Sequence, residues 1–372
     1  AAPPFLVVAL ASFMLYVFTT YVVLFISRSR EYYADRFGGV VTNNPNALAS
    51  ALVKIAYGLV AADPTVEQAP QHQRSSARAK SQRLRAAQAM GIFDGSKAVS
   101  LAMASFRGPN AFSSESMVAA MQWDLWNPWA FFYELGSTHP LPAKRISALG
   151  KLARHLDQPP MVEFNLKRPE SFWDEFLVDV FFKLAPWLFA LGGLGVAGVG
   201  VALDAPESGV GLPVLGFGFG YVLRLLFAYR SGEFPDTSVA ALLSKIKVSE
   251  VRPVPATLSG RIIGRGVPGL IWSEDLVLQD RSGFIFLDYR QPLRLLEWIF
   301  GVFGAGTLVG EDVVVRGWYR RSPTPYLEIR TLETLDGRKK RSYTIYAKWV
   351  LAAVVISLGL FLELAFLATL FA

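Results

Sequence analysis

Cysteine is absent from the 372 residues, and histidine occurs only three times, at His72, His139 and His155. The first absence excludes disulfides, thiolate metal sites and a cysteine nucleophile. The second restricts imidazole chemistry, because no histidine has another four residues away. Charge is also sparse, at 18% of residues, while 52% are hydrophobic and 13% aromatic. A soluble domain needs a more polar surface, so this is the composition of a membrane protein with soluble portions. The formal charge of +7 suits either nucleic acid or the anionic cytoplasmic leaflet. Alanine, not methionine, stands first, so the chain reads as a processed product or a fragment of a longer reading frame.

What is abundant is long apolar sequence. Four segments reach the roughly 20 residues that a bilayer crossing needs: Phe5–Ile26, about Leu184–Leu203, about Val210–Phe227, and Trp349–Phe371. The first is too long for the apolar region of a signal peptide, lacks a basic leader, and is followed by arginines instead of a cleavage site. The second and third are glycine-rich, which lets helices approach closely in lipid, so they are expected to pack as a hairpin. Arg28, Arg30 and Arg36 follow the first span, Lys183 precedes the second, Arg224 and Arg230 close the third, and "GRKKRSYTIYAK" precedes the fourth. The positive-inside rule then puts both long soluble segments in the cytoplasm and the "DAPESG" turn outside. A multipass protein of the inner or plasma membrane is the resulting expectation, with the bilayer as its first partner.

The soluble segments differ in kind. Residues 27–182 read as helical: "NPNALASALVKIAYGL" spaces Leu48, Leu52 and Ile55 on one face, with Asn44 as cap and Pro45 in the first turn. "QAPQHQRSSARAKSQRLRAAQAM" reads as a solvated basic stretch. Residues 231–341 change to short β-branched or aromatic runs broken by turn residues, such as "DLVLQDRSGFIFLDYR" and "EDVVVRGWYRR". Five or six such strands predict a small OB-like β-barrel, interrupted by "LRLLEWIFGVFGAG", a helix suited to the bilayer surface. The expected fold class is a multipass α-helical membrane protein of about four spans with this barrel appended. Its divisions are a transmembrane helix at 1–26, a helical segment at 27–182, a transmembrane hairpin at 183–230, the barrel at 231–341 and a last transmembrane helix at 342–372.

One stretch carries chemistry. In "FISRSREYYADRFGG", Glu31 and Asp35 stand four residues apart just beyond the first span. If that span continues as a helix they share a face, although spacing alone is better described by a solvated charge lattice. Two later blocks add weight: "LASALVKI", and "STHPLPAKRISAL" with His139 and Arg145.

Taken in order, these three blocks resemble the HtpX-type branch of the membrane zinc metalloproteases, relatives of the CAAX prenyl protease. The likeness covers about Ser27–Leu149. It implies that 27–182 holds the C-terminal part of a metalloprotease domain, with Glu31 as a zinc ligand and Asp35 orienting a ligating histidine. It also sets His139 and Arg145 beside the active site, where either could bind a substrate carbonyl or steady an oxyanion. A catalytic Zn²⁺ of the His₂Glu type needs three protein ligands and an open position for water, and the metal activates that water. The implied activity is a zinc metalloendopeptidase acting on protein or peptide substrates in or near the membrane.

The sequence also departs from that family, because it has no HExxH. Two histidine ligands and the general-base glutamate are missing and are expected upstream, so this chain alone is not expected to hydrolyse peptides. A non-catalytic scaffold derived from the family is the alternative. Nucleic-acid binding by the barrel, through Arg261, Arg265, Arg281, Arg316, Arg320 and Arg321 with Tyr289, Trp318 and Tyr319, is a weaker one. His139 could equally close a turn before Pro140, and His72 and His155 read as structural or surface residues. Trp123, Trp126 and Trp129, with Asp124 between them, read as packing. Glu363, inside the fourth span, is either functional or neutral against another helix.

Overall fold

A computed structural model describes residues 4–49, 52, 114–163, 170–203, 209, 211–230, 232–265, 276–322 and 324–370. Helix α1 (Pro4–Val41) runs unbroken through the first apolar segment and fifteen residues past it. Nothing in Phe5–Val41 interrupts it, since the run contains no proline and its first glycine is Gly38. Residues 45–49 are again helical, with Asn44 Oδ1 accepting from the Ala47 N–H at 2.9 Å, as the Asn-Pro signal predicts. Most of "LASALVKI" and all of "QAPQHQ", with His72, lie outside the described residues. Three helices follow: α2 (Ser114–Trp126), α3 (Pro128–Leu135) and α4 (Pro142–His155).

Helices α5 (Trp173–Ala202), α6 (Gly211–Ala228) and, at the end of the chain, α9 (Thr344–Leu370) are, with α1, the four helices among the described residues that are long and apolar enough to cross a membrane. α5 begins eleven residues before the expected Leu184, because "WDEFLVDVFFK" continues the helical pattern on the soluble side. α5 and α6 do pack as a hairpin, and glycine makes the approach possible. A Cβ at Gly216 would stand 2.2 Å from the Phe189 carbonyl oxygen, and one at Gly220 would stand 2.3 Å from that of Ala185. The other side of α6 receives α9 in antiparallel register, Gly211 against Glu363, Leu215 against Gly359 and Gly218 against Ile356. Glu363 is therefore turned to a neighbouring helix, where its carboxylate accepts the Gly209 N–H ahead of α6.

After α7 (Val239–Leu243) come β1 (Val254–Arg265), β2 (Leu276–Gln279), β3 (Phe284–Asp288), α8 (Arg294–Ile299), β4 (Asp312–Ser322), β5 (Thr324–Thr334) and β6 (Lys339–Arg341). The first five strands close into a barrel in the order β1-β2-β3-β5-β4, the ring shut by parallel β3–β5 and antiparallel β1–β4 pairs. Short β6 adds to β5. The "QDRSG" connection is the tight hairpin expected: the Asp280 side chain accepts the Ser282 and Gly283 N–H groups at 2.6 and 2.7 Å. Between β3 and β4, α8 and its flank leave Leu293, Leu295 and Trp298 exposed. Gln291 Nε2 donates to the Arg341 carbonyl and Ser342 Oγ to that of Arg290, so this insertion is tied to the start of α9.

The barrel is not merely tethered. One buried apolar cluster runs from Trp123, Trp129 and Ile146 into Leu258, Leu287 and Val315. Trp123 Nε1 donates to the Val248 carbonyl, and Asn127 Nδ2 to that of Ile246, both at 2.8 Å. Arg321 of β4 stacks on the Trp123 ring at 4.6 Å and donates to Asp124 at 3.1 Å, with both side chains buried. The aromatic stretch is packing, as read. The proposed nucleic-acid surface needs correcting: Tyr289, Trp318, Tyr319, Arg320 and Arg321 are buried, so their rings and guanidinium groups offer no stacking face.

Candidate functional site

The site forms where the soluble extension of α1 meets α4. Because α1 does not stop at the apolar boundary, Glu31 and Asp35 fall one turn apart on one face. α4 starts at Pro142, whose fixed φ suits a first helical position, and this places Arg145 opposite that face. Arg145 Nη1 donates to Glu31 Oε2, while Nε and Nη2 donate to Asp35 Oδ2 and Oδ1, all at 2.7 Å. Asp35 is buried, and the Arg145 and Glu31 side chains are only 13% and 19% exposed. Burial opposes the Arg145 charge, but the Asp35 hydrogen bonds and the charges of Asp35 and Glu31 more than offset it and hold the guanidinium above its ordinary range.

His139 joins from the loop ahead of α4, its Nδ1 against Glu31 Oε1. That loop is fixed on several sides. Ser137 Oγ accepts the His139 N–H and donates to the His139 carbonyl. Arg28, one turn before Glu31 on α1, donates to the carbonyls of Glu134, Leu135 and Ser137 at 2.7, 3.1 and 2.8 Å. Glu134 accepts the Leu141 N–H at 3.0 Å and pairs with Lys144. Reading the sequence missed these two supports, treating Arg28 only as a flanking charge. Its spacing of three from Glu31 was the available signal.

The structure thus brings together all four residues singled out: Glu31, Asp35, His139 and Arg145. His155 stands exposed at the far end of α4 and does not join them. Three of the five guanidinium N–H donors of Arg145 are spent on carboxylates. Both Asp35 oxygens face this cation, each with a second lone pair left.

As a metal site the set is partial. Among the described residues no three His, Cys, Asp or Glu side chains gather as a metal would require. Glu31 fits a single carboxylate ligand, with its Oε2 already steadied by Arg145. Among the described residues only the His139 imidazole meets Glu31, so no hydrolytic step of a His₂Glu centre follows from them.

Residues 5–153 match the family model of Peptidase family M48. No curated protein and no solved structure matches the chain. The matched segment holds α1 through the last full turns of α4, and with them the whole Glu31–Asp35–His139–Arg145 cluster. Residues 5–153 are therefore similar to peptidase family M48, while the α5–α6 hairpin, the barrel and α9 lie beyond the match.

Proposed function

We propose that this chain is the carboxylate-bearing part of a membrane-embedded zinc metalloendopeptidase that cleaves proteins in or near the bilayer. The observation that carries the reading is the clasp of Glu31 and Asp35 by Arg145 beside His139, at the exit of a membrane-length helix inside the family segment. Glu31 is the zinc ligand, and zinc when bound supplies the activated water. Asp35 and Arg145 are positioning residues, since Arg145 fixes the orientation of both carboxylates. His139 is the group free to approach a substrate once Glu31 engages metal. The two imidazoles and the general base come from an HExxH helix outside these residues. The soluble parts lie on the cytoplasmic side, where the basic flanks of the helices would put them.

The barrel we read as OB-like, because a parallel β3–β5 pair closes its five strands and a helix lies between β3 and β4. Its role is to dock on α2 and α3 and brace the helices that carry the site.

The test uses the reading frame including residues upstream of Ala1. Zinc per chain and casein cleavage are measured before and after Glu31→Ala. Loss of bound zinc together with cleavage is expected, and unchanged zinc stoichiometry would sink the ligand assignment. A non-catalytic scaffold is the second reading, favoured by one observation: Arg145 and His139 engage both oxygens of Glu31. An upstream sequence without HExxH decides for it.

A further inference from the structure

A cavity of about 190 Å³ lies where α6 and α9 meet the barrel, away from the α1–α4 cluster. Its charged lining is Arg224, Arg290, Arg320, Lys348, Glu250 and Glu328. Most of these charges are already matched. Arg320 donates to Glu328 at 2.7 Å and to the carbonyls of Glu250 and Ala228, both at 2.6 Å. Arg290 is held by Asp288 at 2.7 Å, and Glu250 by Lys183 at 3.0 Å.

Two cations remain. Arg224 makes no hydrogen bond or ion pair among the described residues, and the Lys348 ammonium meets only the Tyr229 hydroxyl and ring there. They are neighbours by register. The antiparallel alignment of α6 and α9 carries Arg224 to the level of Val350, two residues from Lys348, about 3 Å of helix rise. Each stands four residues inside the barrel-side end of its helix, roughly 6 Å along the axis. The neighbouring insertion, with Leu293, Leu295 and Trp298 exposed, is tied to Arg341 just ahead of α9. The local field is positive: burial alone would push the Glu328 carboxyl up, yet Arg320, Lys348 and Arg290 hold it below the usual carboxylate range.

We propose that this cavity is a binding site for an anionic phosphate group, gripped by the Arg224 guanidinium and the Lys348 ammonium. A guanidinium fork matches two phosphate oxygens and an ammonium adds a point charge. Basic pockets between membrane helices take anionic headgroups by this chemistry.

The test uses the full chain in neutral detergent micelles. Binding of phosphatidylglycerol, phosphatidylcholine and inorganic phosphate is followed by native mass spectrometry and by the shift in melting temperature. One saturable phosphatidylglycerol per chain is expected, weakened at least tenfold by Arg224→Gln and by Lys348→Gln. Arg294→Gln, an exposed cation outside the cavity, leaves it unchanged. Competition by inorganic phosphate identifies a soluble phosphate as an alternative occupant, and its failure identifies the lipid. Equal losses from Arg224→Gln and Arg294→Gln overturn the site in favour of diffuse surface attraction. Phosphatidylcholine binding as tightly also overturns it. Melting without ligand shows that each variant is folded, and Arg224→Lys, which keeps the charge but not the fork, gives an intermediate loss.

Discussion

Arg145 holds Asp35 by two parallel hydrogen bonds, Nε to Oδ2 and Nη2 to Oδ1, each 2.7 Å long. The same guanidinium reaches Glu31 one turn earlier. Removing it leaves two shielded carboxylates without a counter-charge, which typically costs about 3–5 kcal/mol. Arg145→Met is therefore expected to lower the unfolding free energy in detergent by that order, read by tryptophan fluorescence. The triple variant Glu31→Gln, Asp35→Asn, Arg145→Met loses less than Arg145→Met alone. A single variant as stable as the parent would show that the clasp holds nothing.

The barrel's attachment gives a second expectation. Asp124 and Arg321 are buried together, and burial pushes the Asp124 carboxyl up against the pull of Arg321. Asp124→Asn and Arg321→Met should each destabilise the chain by about 2–4 kcal/mol, and the double variant by less than their sum. Limited proteolysis between α4 and β1, faster in either single variant, reads the same loosening. Strict additivity would mean that the pair is not coupled.

The membrane hairpin separates two kinds of glycine. Gly216 lies against the Phe189 backbone, whereas Gly195 has nothing within 4 Å of an added Cβ. Gly216→Val should force α5 and α6 apart and abolish the cooperative thermal transition. Gly195→Ala should be neutral or gain about 0.5–1 kcal/mol from lost backbone freedom. Similar melting for both would refute the packing described.

How much of this was legible beforehand depends on the range of the interaction. The α1 carboxylates could be placed on one face because an uninterrupted apolar run fixes helical phase over many turns. The cation opposite them was placed beside the site by the family resemblance alone, since Arg145 lies 110 residues from Asp35 and periodicity says nothing about partners at that distance. Neighbouring residues on a strand point to opposite faces, so one of Arg320 and Arg321 would ordinarily meet water. Both are buried because α2 covers one side of β4 and the end of α6 the other. The weaker nucleic-acid alternative fails at Trp318 and Tyr319, which are buried beside them. Strand order was legible only as a set of β-branched runs, because parallel β3–β5 closure joins segments separated by the whole α8 insertion.

Acidity should act on the barrel through Asp288. Burial pushes its carboxyl up from 3.8 to about 6, against the pull of Arg290. The folded state thus favours the proton, so this contribution to stability is full below about pH 4 and is lost as pH rises through about 6. The difference in unfolding free energy between parent and Asp288→Asn should shift by up to about 3 kcal/mol from pH 4 to pH 7, in favour of the variant at the higher pH. A pH-independent difference would contradict the shift.

The unbroken course of α1 makes it a ruler. Glu31 stands five positions beyond Ile26, the last of the apolar run, which is about 7.5 Å along the axis. With no proline or hinge between them, the carboxylate cannot change its height without moving the whole helix through the bilayer. Under the proposed function, a substrate would have to present its peptide in a slab of that elevation, so distance from the membrane, more than side-chain identity, would decide what is cut.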